Sequence, residues 1–406
     1  MSHRVNDNHL GPRNLGPRNV PTMTIRISLE PVDDLAALER EWRTLEACAD
    51  ATYYHSWGWV GTWVRHVHGR APLTKLIARD DSRVVGLALA AESVRGARGR
   101  TLYLQGTRGK LGRITSERGG FLVHRDVDAA VRAAYFEFLG GGVAAGRWGK
   151  AVLGWVRPAT VDEAAFAESV PVLRWREPNY LVELDRVRES GEYITLLGDK
   201  TRKNMRRSRR AYERRGPLRL RIAGDVAEAQ TFLTRLVALH EATWRARGWP
   251  GNFADPVVLA FHRDLVRERT ESREVQLARI TAGSEEVGYL YSLVYRNRVI
   301  GYDMGLRYDP DRDTQPGRMC DWLAVEHYAE QGYDVYDNLS GETQFKRSLG
   351  TRTDELAWLL IRRDGLVDRV GERARHAFIA KVRDTAVHRW QRRFRIAVAT
   401  KLDALR

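Results

Sequence analysis

The order of the secondary-structure elements constrains this chain more than any single residue does. Residues 24–29 alternate as a strand, and residues 32–48 place Leu35, Leu38, Trp42 and Leu45 at helical spacing. Tyr54, Trp57, Val60, Trp63 and Val64 mark a second helix. Strand-like runs at 73–78, 83–91 and 100–105 follow, the first two joined by a turn at Asp80-Asp81-Ser82. A helix over 127–140, a strand over 150–156 and an extended run at 180–184 complete this half. The second half repeats the order. A strand at 218–222 leads into helices at 225–247 and 256–268, the first with Val226, Ala229, Leu233, Leu236, His240 and Trp244 on one stripe. Strands at 274–280, 286–295 and 298–306 are divided by Gly283-Ser284 and Asn297, both turn-formers. A helix at 316–331 stops at Gly332, a strand follows at 333–338, and a short helix (343–349) and a strand (354–361) close the unit. Two passes through so uncommon an order predict a duplicated α/β (α+β) unit.

Size and charge agree with that reading. A chain of 406 residues is long enough for two cores, and 43% hydrophobic with 29% charged residues describes a globular protein. No apolar run approaches the roughly 18 residues a spanning helix needs, and the polar N-terminus with its tandem Gly-Pro-Arg-Asn reads as a tail, not a secretory signal. Cys48 and Cys320 suggest neither a disulfide framework nor zinc, which fits a reducing cytoplasm. The net charge of +15 is concentrated. Residues 200–221 hold eleven Lys/Arg against one acid, and residues 361–406 hold thirteen against five, so the remainder is slightly acidic. Two basic patches are present, not a uniform polyanion-binding coat.

Four groups of residues carry a resemblance to a known family. Ser56-Trp57 with Trp63, the basic run opened by Thr201-Arg202-Lys203-Asn204, and Tyr302, Gly305, Pro316 and Gly317 carry three of them. The most specific is Tyr336-Asp337 followed by Gly341, Phe345-Lys346 and Gly350. Together with the element order they resemble the GNAT acetyltransferases, in particular the CelD-like or BioF-like subfamily, kin to the FemAB aminoacyltransferases. The resemblance covers roughly residues 24–362. It implies a tandem GNAT fold of two mixed, largely antiparallel sheets flanked by helices. The units are then an N-terminal tail (1–22), a first GNAT-like domain (23–190), a basic linker helix (191–216), a second GNAT-like domain (217–363) and a basic amphipathic C-terminal helix (364–406).

An N-acyltransferase is implied, moving an acetyl or other acyl group from acyl-CoA to an amine of a sugar, lipid-linked or peptide-like acceptor, without a metal. In the GNAT fold the carrier's pyrophosphate sits on the N-terminus of the helix after the fourth strand, where free N–H groups and the helix dipole attract anions. Here that entry contains Gln315, Pro316, Gly317 and Arg318, with one glycine and a proline that offers no N–H. It reads equally as an ordinary helix start and as a phosphate cradle. Lys346 is the leading catalytic candidate: a cation there would stabilise the oxyanion formed when the carbonyl is attacked, and the FemAB resemblance assigns a lysine at this place to the transfer step. Asp337 and Glu342 are candidate bases or orienting carboxylates, Asp337 being also a candidate helix cap. Trp57, Arg206, Tyr302 and Tyr336 are the substrate-binding candidates, and His240, on an apolar stripe, reads as a hydrogen-bonded core histidine.

The basic segments leave alternatives open. The run from Lys200 to Arg215 is a solvated linker helix, a docking strip for an anionic substrate, or a grip on tRNA phosphates; only Tyr212 interleaves its cations, which gives base stacking little support. Under the tRNA reading the enzyme is a FemAB-like aminoacyl-tRNA-dependent transferase. A third reading is a catalytically silent, ligand-binding GNAT protein, which the sparse phosphate loop favours. In the C-terminal segment Phe378, Val382, Ala386, Trp390 and Phe394 repeat every four residues among arginines. Such a helix suits an anionic membrane surface, placing a cytoplasmic protein at the inner face, or packing on the protein's own domain.

Overall fold

The computed structural model describes residues 24–94, 100–106, 114, 120–161, 166, 169–248 and 250–363. The tandem Gly-Pro-Arg-Asn tail and the basic C-terminal segment from 364 therefore lie outside the described residues. The first half runs β1 (Ile25–Pro31), α1 (Leu35–Cys48), α2 (Trp57–Val67), β2 (Leu73–Asp80), β3 (Arg83–Val94), β4 (Arg100–Leu104), the two-residue β5 (Leu122–Val123), α3 (Asp128–Ala144), β6 (Lys150–Val156) and β7 (Ser169–Glu183). Helices α4 (Leu184–Ser190) and α5 (Asp199–Glu213) connect the halves. The second half runs β8 (Leu218–Ile222), α6 (Val226–Ala246), α7 (Pro256–Arg269), β9 (Val275–Ala282), β10 (Glu285–Tyr295), β11 (Arg298–Leu306), α8 (Pro316–Glu330), β12 (Val335–Ser340), α9 (Gln344–Leu349) and β13 (Arg352–Arg363).

Local chemistry starts the helices where the sequence predicts. The Asp34 carboxylate accepts the N–H groups of Ala36 and Ala37 at 2.8 and 3.0 Å, and the Ser56 hydroxyl accepts that of Trp59 at 3.3 Å. Asp225 caps α6 through the Glu228 N–H at 2.8 Å, and Asp255 with Pro256 opens α7. Helix α8 begins at Pro316 without a side-chain cap.

The two sheets expected side by side are joined into one thirteen-stranded sheet, with twelve strands in the order β1-β2-β3-β4-β6-β13-β7-β12-β11-β10-β9-β8 and β5 branching from β3. That order reads the same from either end if each first-half strand is exchanged for its second-half counterpart. The pairing modes match as well: β4 runs parallel to β6 as β11 does to β12, and the other pairs along the sheet are antiparallel. The last strands are swapped. First-half β7 sits between β12 and β13, and second-half β13 sits between β6 and β7. The exchange turns two sheet edges into the longest ladder of the molecule, from Arg352↔Leu181 to Arg363↔Ser169. Helices cover both faces. One continuous core joins α1 and α2 to α6 and α7, where Trp59 meets Phe261 at 4.9 Å between ring centroids. On the opposite face α3 covers the first half, while α4, α5 and α8 cover the second.

Candidate active site

Strands β11 and β12 pair in parallel for three residues, Arg298↔Val335, Val299↔Tyr336 and Ile300↔Asp337, and then diverge. The divergence is built into the backbone. Leu339 takes a left-handed φ of +61°, a costly conformation for a branched side chain, and the β7·β12 register breaks between Asp337 and Ser340. Asp337 holds this kink. Its fully buried carboxylate accepts the Leu339 N–H at 3.0 Å and the Asn179 Nδ2 at 3.1 Å, and pairs with Arg298 at 3.1 Å. The carboxylate read from sequence as a base, an orienting carboxylate or a helix cap thus ties β7, β11 and β12 together at the root of the opening, and it is not in the wall of the opening itself.

Between the diverging strands and the start of α8 lies a cavity of about 490 Å³. Six sequence-predicted residues meet there: Lys346, Glu342, Gln315, Gly317, Arg318 and Tyr302. Lys346 is set on α9, whose first turn is capped by the Thr343 hydroxyl at 3.1 Å from the Lys346 N–H. Its ammonium donates to the Leu339 and Ser340 carbonyls at 3.2 and 2.7 Å, which fixes the charge at the tip of β12. Glu342 stands at the rim, paired with Arg347 at 2.7 Å. The Tyr302 hydroxyl bonds to the buried His262 at 3.0 Å, and burial pushes that imidazole down to about 3, so it is neutral at ordinary pH.

The end of α8 offers little backbone to an anion. Pro316 has no N–H, the Gln315 N–H donates to the Ser208 hydroxyl at 2.8 Å, and the Arg318 and Met319 N–H groups turn back to the Gln315 carbonyl at 3.1 and 3.2 Å. Gly317 keeps the amide at this end without such a partner among the described residues. Burial lowers the Arg318 pKa from its usual value, and its Nη1 has no partner among the described residues. The backbone cradle for a pyrophosphate is therefore incomplete, and the residues present fit acyl-CoA only through Gly317 and side-chain charge.

The remaining candidates lie elsewhere. Trp57 is buried in the shared core on α2, and Tyr336 is buried behind the cleft. Arg206 is on the outer face of α5, 3.7 Å from Glu192. Sequence reasoning missed two carboxylates in the wall and read a third group there, His240, as a core histidine. Glu177, 6% exposed, arrives on the swapped β7. It is brought to the lysine by Gly341, whose N–H donates to the Pro178 carbonyl at 3.1 Å. A methyl group at Gly341, where φ is +125°, would lie 3.8 Å from Lys346 Nζ and 3.9 Å from Glu177 Oε2, so the two side chains flank one point. His240 and Asp303 form a buried pair on the facing wall, Nδ1 to Oδ1 at 3.2 Å. The histidine does sit on the apolar stripe of α6, but its polar edge reaches the cavity. Periodicity placed His240 on that stripe; nothing local announces Glu177, which the first half of the chain delivers.

Residues 199–347 match the family model described as "Acetyltransferase (GNAT) domain". This span is similar to a GNAT domain. The match covers α5 through most of α9, which includes every cavity residue named above except Glu177. Among solved structures, FemX shares 11% identity over 79% of this chain and 95% of its own, with a TM-score of 0.52. The C-terminal domain (DUF2156) of a putative lysylphosphatidylglycerol synthetase from Agrobacterium fabrum shares 12% over 86% and 96%, with a TM-score of 0.49. A tandem GNAT protein from the clavulanic acid biosynthesis pathway shares 13% over 84% and 99%, with a TM-score of 0.42. At such identities the likeness is one of fold. No curated protein matches the sequence significantly. Among the described residues no group of side chains could hold a metal ion, and no helix is long and apolar enough to cross a membrane.

Proposed function

We propose that the chain is an N-acyltransferase whose reaction takes place in the GNAT-domain cleft between β11 and β12. The observation that carries this reading is Lys346, its ammonium held on two carbonyls at the mouth of a splayed parallel pair and facing Glu177 across Gly341. An acceptor amine attacks the donor's carbonyl carbon there; Glu177 takes the amine proton, Lys346 stabilises the oxyanion, and the carrier leaves with a proton. The His240–Asp303 pair and Tyr302 orient the acceptor, an amine of a sugar, lipid-linked or peptide-like molecule. The CelD-like resemblance supports an acceptor from envelope or exopolysaccharide synthesis.

The donor has two readings. Acyl-CoA follows from the domain family. Aminoacyl-tRNA follows from the FemAB resemblance and is favoured by a specific observation. Beside the incomplete phosphate cradle runs α5, joined to it by the Ser208–Gln315 bond and by Arg207–Asp313 at 3.3 Å. Lys200, Lys203, Arg210 and Arg214 line one exposed face of that helix, and none has an ion-pair partner among the described residues. Such a stripe suits a long polyanion better than one pyrophosphate. Calorimetric titration with acetyl-CoA and with charged tRNA tests the pair. Tight, salt-sensitive binding of tRNA alone selects the second donor, tight acetyl-CoA binding selects the first, and binding of neither contradicts both. The basic C-terminal segment is proposed to hold the protein to anionic membrane. Equal sedimentation with phosphatidylglycerol vesicles by the full chain and a chain ending at Arg363 would remove that role.

A further inference from the structure

A transfer needs two substrates in the cleft, and the cleft wall draws on both faces of the sheet. Helices α5 and α8 belong to one face and α6 to the other. Most charges in the wall are engaged. Asp303 is paired with His240 at 3.2 Å and Glu342 with Arg347 at 2.7 Å, while Lys346 is held on two carbonyls. Two arginines of the wall have no ion-pair partner among the described residues: Arg318 on α8 and Arg247 at the end of α6. Arg318 stands on the side assigned above to the donor. Arg247 has no assignment yet.

Arg247 is built into an aromatic corner. Its guanidinium carbon lies 5.2 Å from the Trp244 ring centroid and 5.9 Å from that of Tyr308, and its Nη2 donates to the Tyr308 hydroxyl at 3.3 Å. Trp244 is half-buried in the last turn of α6. Tyr308, just past β11, is 55% exposed, the single large apolar side chain so exposed among the described residues. All three line the cavity together with Thr243 and Leu306. The acid beside Tyr308 is engaged elsewhere, since Asp309 pairs with Arg215 at 2.7 Å.

A cation beyond a helix C-terminus is ordinarily explained by the helix dipole. The dipole explains neither the two rings nor the place in the cavity wall. Contact with aromatic faces pre-organises a guanidinium whose N–H fork then takes a carboxylate or phosphate through paired hydrogen bonds. The flat indole beside it suits the C–H face of a sugar ring, whose hydroxyls stay in water.

We propose that Trp244, Arg247 and Tyr308 form the acceptor subsite of the cleft, and that the acceptor is an acidic amino sugar. Its ring lies against the aromatic faces, its phosphate or carboxylate on Arg247, and its amine is directed to Lys346 and Glu177. The inference rests on the acyl-transfer reading and narrows its acceptor class. Donor and acceptor then enter from opposite faces of the sheet, Arg318 serving one and Arg247 the other.

The test is calorimetric titration of the full chain with glucosamine, glucosamine-6-phosphate and glucosaminuronic acid. At least one acidic sugar should bind about tenfold or more tighter than glucosamine, the scale of a hydrogen-bonded charge pair. Which of the two gains more tells phosphate from carboxylate. Arg247→Ala should erase the preference, leaving glucosamine binding and the melting temperature nearly unchanged, and Arg247→Lys should keep part of it. Trp244→Ala should weaken all three sugars by a similar factor. Equal binding of the three sugars by wild type, binding of none, or a preference that survives Arg247→Ala would overturn the inference. If Lys346→Ala is inactive while the preference ignores Arg247, this inference alone fails. If the preference follows Arg247 while Lys346→Ala keeps full turnover, the subsite stands and the acyl-transfer reading fails.

Discussion

The two halves of this chain are built on one plan and differ where chemistry would occur. Each has a parallel pair that registers for three residues before ending or diverging: Thr101↔Lys150 to Tyr103↔Val152 in the first half, Arg298↔Val335 to Ile300↔Asp337 in the second. Each is followed in the same place by a helix start. In the first half that start is acidic, with Asp126 before α3 and Asp128 in its first turn, the latter paired with Arg132 at 2.7 Å. In the second it carries Gly317 and Arg318 and no acid in the first turn. Negative charge at a helix N-terminus repels the anion that the dipole would otherwise attract. The two scaffolds match, and the second is where the proposed reaction would take place. The swapped β7 adds that the wall of the second-half cleft is incomplete alone, since Glu177 comes from the first half.

Variants of the two halves should therefore behave very differently. The largest effect is expected for Lys346→Ala, a loss of two to three orders of magnitude in turnover with the melting temperature nearly unchanged, the usual scale for removing one oxyanion partner. Near-wild-type turnover would end the assignment. Glu177→Gln follows with a loss of about two orders of magnitude in kcat, the lower range for a positioned base. A full-rate Glu177→Gln enzyme would show that the exchanged strand lends structure only.

A smaller effect is expected at the joint between the halves. His262 is buried against Trp59 and bonded to Tyr291 and Tyr302, and its folded pKa of about 3 lies below its ordinary 6.5. The unfolded chain binds the proton more readily, so stability is present above about 6.5 and falls with pH below it, by up to about 1.4 kcal/mol per unit. Denaturant unfolding of wild type and His262→Gln between pH 7 and 4 checks this. Equal slopes would contradict the neutral, buried imidazole. The smallest effect is expected for Asp128→Asn, a change in turnover under about twofold with a stability loss of about 0.3–1 kcal/mol from the α3 dipole and the Arg132 pair.

Much of this was legible in the sequence, for physical reasons that are easy to name. Period and turn chemistry located β2, β3, β6, β8 and α6 to α9 within a few residues. Lys346, Gln315, Gly317, Arg318, Glu342 and Tyr302 could be gathered because they follow one another within one half. The strand exchange was not legible: β7 and β13 alternate as any strand does, and nothing local says which edge they will join. Glu177 was lost for that reason. Asp337 was visible, but a motif marks a residue as needed without saying whether it reacts or holds the backbone kink at Leu339. Tyr336 and Trp57 likewise belong to packing.

The central claim is that the donor occupies the second-half cleft and not its first-half counterpart. Hydrogen–deuterium exchange of the full chain, with and without acetyl-CoA and with and without charged tRNA, measures this directly. The account predicts protection at residues 301–306, 316–319 and 338–346 with the donor that binds, and none at 101–104 or 125–132. Protection confined to the first-half segments would contradict it.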